Sequence, residues 1–141
     1  DMRNDCMLAI VDILYKHIPF SNPNAKRTFD SDLSTIGNYI QKNYLEIKGL
    51  DALSEHFGIT KSHLCRVFKE HTGITITHYI NALKIQRACL LLCESKIPIH
   101  DIYKMCGYDN SQYFNRIFKK IKEVTPNQFR QQSRAIKMWK Y

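Results

Sequence analysis

Residues 50–69 and 99–119 of the 141-residue chain follow one pattern, and that repeat restricts the fold more than any other feature. The first copy runs from Leu50 through Leu53 to Gly58, then through Leu64, Arg66 and Phe68 to Lys69. The second runs from Ile99 through Ile102 to Gly107, then through Phe114, Arg116 and Phe118 to Lys119. Each reads as a short apolar helix, a glycine turn and an amphipathic helix ending Arg-x-Phe-Lys. The glycines are 49 residues apart and the phenylalanines 50, so the second turn holds one extra residue.

A short helix, a tight glycine turn and a second helix make the helix-turn-helix shape. Its second helix enters the major groove of DNA while the first braces it across the backbone. On the helix 61–72, Leu64, Val67 and Phe68 share a face and turn inward, which leaves Ser62, Cys65, Arg66 and Lys69 pointing away. On 110–122, Phe114, Ile117, Phe118 and Ile121 turn inward, leaving Ser111, Gln112, Asn115, Arg116 and Lys119 outside. The outward sets hold the residue types that read base edges, Arg for guanine and Gln or Asn for adenine. Lys61, His63, Lys69, Lys119, Lys120 and Lys122 suit phosphates, contacts that position without specifying.

Elsewhere apolar residues recur at three- and four-residue spacing and no period-two run appears, so the fold class is all-α. A helix is expected over 5–18, with Leu8, Val11, Ile13, Leu14 and Ile18 as its stripe, followed by a linker from Pro19 to Ala25. The next, 31–45, opens on Ser31 or Asp32 as N-cap and offers Leu33, Ile36, Tyr39 and Ile40 to a core. Further helices are expected over 50–57, 61–72, 76–93, 99–106, 110–122 and 126–136. Gly58 and Gly107 close two of them through positive φ, and Thr125-Pro126 starts the last. The helix 76–93 is the longest and most apolar, a connector touching both halves. The architecture is two helix-turn-helix subdomains joined by a long central helix, a homeodomain-like tandem. It divides into 1–30 (helix and linker), 31–75 (first subdomain), 76–93 (connector) and 94–141 (second subdomain).

Charge sharpens this. Residues 1–30 are neutral, while 31–141 hold 17 basic and 9 acidic residues and so the whole net charge of +8. A polyanion is the natural partner of that part. No run of eighteen apolar residues occurs, so no membrane partner is expected. The cysteines, Cys6, Cys65, Cys89, Cys93 and Cys106, are odd in number and form no C-x-x-C, which argues for core thiols in a reducing, cytoplasmic setting. Cys89 and Cys93 share a helix face, but no His or acidic residue is spaced to complete a metal site. The six histidines are scattered and no glycine-rich phosphate loop occurs, so neither an enzyme nor a cofactor is expected.

With these residues in view, the chain resembles the AraC/XylS-type bacterial transcription regulators, in their two-motif DNA-binding domain, over about residues 33–132. The resemblance rests on Ser62-x-x-x-Arg66-x-Phe68-Lys69, Gly73, Tyr79 with Ala88-x-x-Leu91-Leu92, and Ile102-x-x-x-x-Gly107-Tyr108. Its most specific part is Ser111-x-Tyr113-Phe114-x-Arg116-x-Phe118-Lys119 leading to Thr125-Pro126-x-x-Phe129-Arg130. It implies recognition helices in successive major grooves, with Ser62, Cys65, Arg66, Ser111, Gln112, Asn115 and Arg116 facing bases. Three positions depart from it. Glu123 stands where glycine is usual, implying a different turn or a strained φ. Tyr103 replaces a small alanine, so its ring either pushes the helix pair apart or points out to a phosphate. Lys84 stands where arginine is common. Regulators of this kind usually carry a sensing or dimerisation domain, and the chain opens on Asp1 rather than Met, so 1–30 is expected to be the end of one. Residues 5–18 then serve either as a dimerisation helix or as a helix that packs on the same domain.

The function expected is sequence-specific binding of double-stranded DNA at a promoter, with activation or repression through contacts to RNA polymerase. The alternative is an architectural nucleic-acid binder without strong sequence preference. Lys119→Ala should lower the slope of log affinity against log salt by about one; an unchanged slope removes Lys119 from the phosphate set.

Overall fold

A computed structural model of the chain describes residues 27–139, with side chains from Ser34 to Met138. The helix expected over 5–18, the linker after it and the Leu33 side chain lie outside the described residues. Within them are seven helices and no strand: α1 (Arg27–Asn43), α2 (Leu50–Phe57), α3 (Lys61–Thr72), α4 (Ile76–Glu94), α5 (Ile99–Met105), α6 (Ser111–Lys122) and α7 (Pro126–Trp139). No helix among the described residues is long and apolar enough to cross a membrane.

α1 differs most from expectation. It is already helical at Arg27, the first described residue, so Ser31 and Asp32 lie inside it instead of capping it. No Gly or Pro interrupts residues 24–36, and nothing in the sequence stops the helix at the expected cap. It ends two residues early because the Asn43 carbonyl accepts from the N–H groups of Glu46 and Ile47, closing a turn.

The chain divides into two compact units, with the boundary in sequence between Ile80 and Asn81 of α4. In the first, Ile36, Ile40, Leu53, Leu64, Phe68, Ile76 and Tyr79 are buried. Tyr39 stays half-buried, stacked on His56 at 4.1 Å and edge-on to Phe57 at 5.4 Å. In the second, Ile85, Ala88, Cys89, Leu92, Ile102, Cys106, Tyr108, Phe114, Phe118 and Phe129 make one core. Cys89 and Cys106 are thus core thiols, and burial pushes the Cys106 thiol up to about 11. The Tyr103 ring is half-buried against this core and tilted on Phe114 at 6.4 Å, not turned out into water.

The repeat reaches further than residues 69 and 119. Thr75 and Thr125, 50 apart, each accept from an N–H three residues on, those of His78 and Gln128. The Gln128 side chain also accepts from the Thr125 N–H, which completes a capping box. Four residues beyond each threonine a ring covers the recognition helix: Tyr79 meets Phe68 and Phe129 meets Phe118, both at 5.6 Å between centroids. Such aromatic pairs add about 0.5–1.5 kcal/mol beyond the area they bury. The next position diverges. Ile80 is buried and apolar, whereas the buried Arg130 donates to the carbonyls of Leu92, Leu91 and Ser95 at 3.2–3.4 Å. Those carbonyls sit at the end of α4, where helix geometry runs short of backbone donors; of the three, the Leu91 carbonyl also accepts from the Ser95 N–H at 3.1 Å.

The turns after the recognition helices share one shape but not one residue. Gly73 has φ +79° and Glu123 φ +65°, and each N–H bonds back to the carbonyl of Lys69 or Lys119 at 2.8 Å. The glutamate therefore keeps the glycine's conformation. A Cβ on Gly73 would meet nothing within 4 Å, so the cost of a side chain here is that of the left-handed backbone itself, about 1–2 kcal/mol. Glu123→Gly should raise the unfolding free energy by about 0.5–1 kcal/mol, and Gly73→Glu should lower it by a similar amount. Urea melts of the two variants check this.

Candidate nucleic-acid interface

Each recognition helix starts on a side-chain cap. Thr60 Oγ1 accepts from the His63 N–H at 3.2 Å at the head of α3, and Asn110 Oδ1 accepts from the Tyr113 N–H at 3.0 Å at the head of α6. These caps fix the first turns, where Ser62, Ser111 and Gln112 stand. Leu64, Val67 and Phe68 are buried on α3 and Phe114 and Phe118 on α6, while Ile117 and Ile121 are partly buried against the second core. The opposite face is what remains for a ligand.

On α3 that face exposes Lys61, Ser62, Arg66 and Lys69, with His63 and Cys65 half-buried. Lys61 Nζ lies 2.8 Å from Asp51 Oδ1, and this hydrogen bond, then the charge of Asp51, raises the lysine pKa. Both side chains are open to water, so the pair is weak and a phosphate can replace the carboxylate. Arg66 Nη2 stands 3.2 Å from His63 Nδ1. The guanidinium can only donate, so this contact is a hydrogen bond when Nδ1 carries no proton. His63, expected among the phosphate contacts, thus faces the arginine of its own helix.

On α6, Ser111, Gln112, Asn115, Arg116, Lys119 and Lys120 are exposed and Lys122 is half-buried. This helix carries four basic residues and no acidic one, three of them in its last turn, where the carbonyl ends of the helix dipole favour cations. Arg116 Cζ lies 5.2 Å from the centre of the Tyr113 ring. The expected base-facing residues of each helix therefore share one exposed or half-exposed side, flanked by lysines. Tyr113 was missed in the sequence as a partner of Arg116. The signal was present: Tyr113 lies 50 residues after His63, the same offset as Arg116 from Arg66. Among the described residues, no cluster of three or more His, Cys, Asp or Glu side chains could hold a metal ion.

A family model described as a helix-turn-helix domain matches residues 53–132. The xylose operon regulatory protein of Escherichia coli strain K12 is 37% identical over 93 residues, which are 66% of this chain and 24% of that protein. The chain thus spans about a quarter of that relative's length. The C-terminal domain of AraT, a response regulator from Geobacillus stearothermophilus, superposes with a TM-score of 0.66 at 31% identity, covering 71% of this chain and 84% of that one. The DNA-binding domain of AdpA, a global transcriptional factor solved in complex with a target DNA, shares the fold at a TM-score of 0.67 and 17% identity, over 73% of this chain and 93% of that one.

The cap of α6 supplies a direct check on how the site is held. Asn110→Ala should cost about 1 kcal/mol of stability, as N-cap removal does, and should speed amide exchange at Gln112 and Tyr113. Exchange that stays at the wild-type rate would show that the first turn does not depend on this cap.

Proposed function

The chain belongs to the AraC/XylS-type helix-turn-helix family of transcription regulators, and from that premise we propose that it is the DNA-binding part of a sequence-specific regulator. In this reading α3 and α6 enter successive major grooves of one promoter. Ser62, Cys65 and Arg66 read bases in the first groove, and Ser111, Gln112, Asn115 and Arg116 in the second. Lys61, Lys69, Lys119, Lys120 and Lys122 hold phosphates, with His63 beside Arg66 at the edge of that set. The observation that carries the reading is the matched pair of exposed arginines, 50 residues apart on helices with equivalent caps. An Arg is the side chain best shaped for bidentate contact with a guanine. The AdpA domain, solved on its target DNA, supports duplex DNA as the ligand.

The rest of the reading follows from the family. RNA polymerase is the protein partner on the promoter, and the protein acts in the cytoplasm and catalyses no reaction. A regulator of this type pairs with a second copy through a domain beyond the DNA-binding part or through residues 5–18. Against non-specific binding stands the composition of the outward faces: a purely electrostatic binder needs lysines, not Gln112, Asn115 and two matched arginines.

Selection of duplexes from a randomised library should yield two sequence blocks about 10 bp apart, one helical turn. Arg66→Ala and Arg116→Ala should each relax one base position, in different blocks, at a cost of about 1–3 kcal/mol. An affinity ratio near one between the selected duplex and a scrambled duplex at the same salt would sink the sequence-specific reading.

A further inference from the structure

Behind Arg116 runs a line of contacts that begins in the connector helix. Lys84 is buried on α4; its ammonium donates to the Gly107 carbonyl at 3.2 Å and lies 5.1 Å from the centre of the Tyr108 ring. The Tyr108 hydroxyl donates to Asn81 Oδ1 at 2.7 Å, one turn earlier on α4. Burial pushes this phenol well above the usual tyrosine range, so it stays protonated and remains a donor. With Oδ1 engaged, the Asn81 amide has one orientation, and its Nδ2 donates to the Tyr113 hydroxyl at 3.4 Å. The Tyr113 N–H is held by Asn110. The ring is thus fixed at its backbone and at its far tip, and Arg116 lies over its face.

We propose that Tyr113 is a positioning residue for Arg116: Asn81 and Tyr108 fix its ring, and the ring aims the guanidinium at one base before DNA arrives. This rests on the reading of Arg116 as a base reader. A free arginine on an exposed helix face samples many rotamers, and binding must select one of them. A cation–π platform reduces that loss and so sharpens discrimination at the base concerned. The first unit supports the assignment independently. At the equivalent position stands His63, whose Nδ1 engages Arg66 by a different chemistry. The two copies keep the role three residues before the arginine and change the side chain that performs it. A tyrosine that only filled the core would not require its hydroxyl to meet an oriented amide from α4.

The test uses the whole 141-residue chain and a duplex recovered by it from a randomised library. Its second-block base whose preference Arg116→Ala abolishes is varied through all four identities. Tyr113→Leu should lower discrimination at that base roughly three- to tenfold, the reach of a cation–π contact that becomes desolvated. First-block discrimination and the salt slope should stay unchanged. Tyr113→Leu added to Arg116→Ala should lower discrimination no further, since a coupled pair is not additive. Tyr113→Phe keeps the ring and frees its tip, and should lose about twofold. This variant removes one oxygen from a half-buried side chain, so it decides the role of Asn81 if Tyr113→Leu does not fold. Equal weakening at every second-block base, or full discrimination in both Tyr113 variants while Arg116→Ala abolishes it, overturns the positioning role alone. If Arg116→Ala abolishes no base preference, the base-reader assignment fails and the proposal with it.

Discussion

A helix of 12 residues is marginal in water by itself, so each recognition helix depends on the aromatic ring set against it by the helix that follows. Phe68 under Tyr79 and Phe118 under Phe129 give the same separation in both units. These contacts decide which face of α3 and of α6 is buried. Every outward residue, from Ser62 to Lys119, has its direction because an inward phenylalanine is held. The caps at Thr60 and Asn110 and the turns at Gly73 and Glu123 then set where each helix begins and ends. Specific chemistry on the outer face is a consequence of unspecific apolar chemistry on the inner one.

The two units share a frame and differ in how they meet its demands. The first satisfies the left-handed turn with glycine, and the second forces a glutamate into it. The first buries an isoleucine four residues into the covering helix, and the second buries an arginine that closes three carbonyls. The second unit also brings Asn81, Lys84, Tyr108 and Tyr113 together in polar contacts. Polar groups in a core demand directional partners. The second unit is therefore the more exacting in side-chain geometry, and it is also the unit with more of the side chains proposed to read bases.

Much of this was legible in the chain. The glycines at 58 and 107, the three- and four-residue spacing of Leu64, Phe68, Phe114 and Phe118, and the Thr125-Pro126 start each act locally, and local signals survive in sequence. The start of α1 was misjudged because Ser31 and Asp32 are good caps that a continuous helix passes through. The extension of the repeat to Tyr79 and Phe129 was hidden because Ile80 and Arg130 have opposite chemistry at matching places. In the chain Lys84 is marked only as a lysine where arginine is common, and Asn81 carries no mark at all. Their partners lie 23–32 residues away, and pairing over such separations leaves no periodic mark. Lys61 and His63 were legible as cations but not as partners of Asp51 and Arg66, since an exposed side chain's neighbour depends on rotamers.

The arginine at position 130 ties the last helix to the end of α4 across 35–39 residues. A growing chain emerges from the ribosome from its N-terminus, at about 5–20 residues per second. The Leu91 carbonyl is already met by the Ser95 N–H, but those of Leu92 and Ser95 must wait for water or transient partners until residue 130 has cleared the exit tunnel. The second unit can close only after residue 130 has emerged, so its recognition helix becomes competent later than that of the first. Any interruption of translation between α6 and α7 would leave a basic helix without the ring and the guanidinium that complete its support.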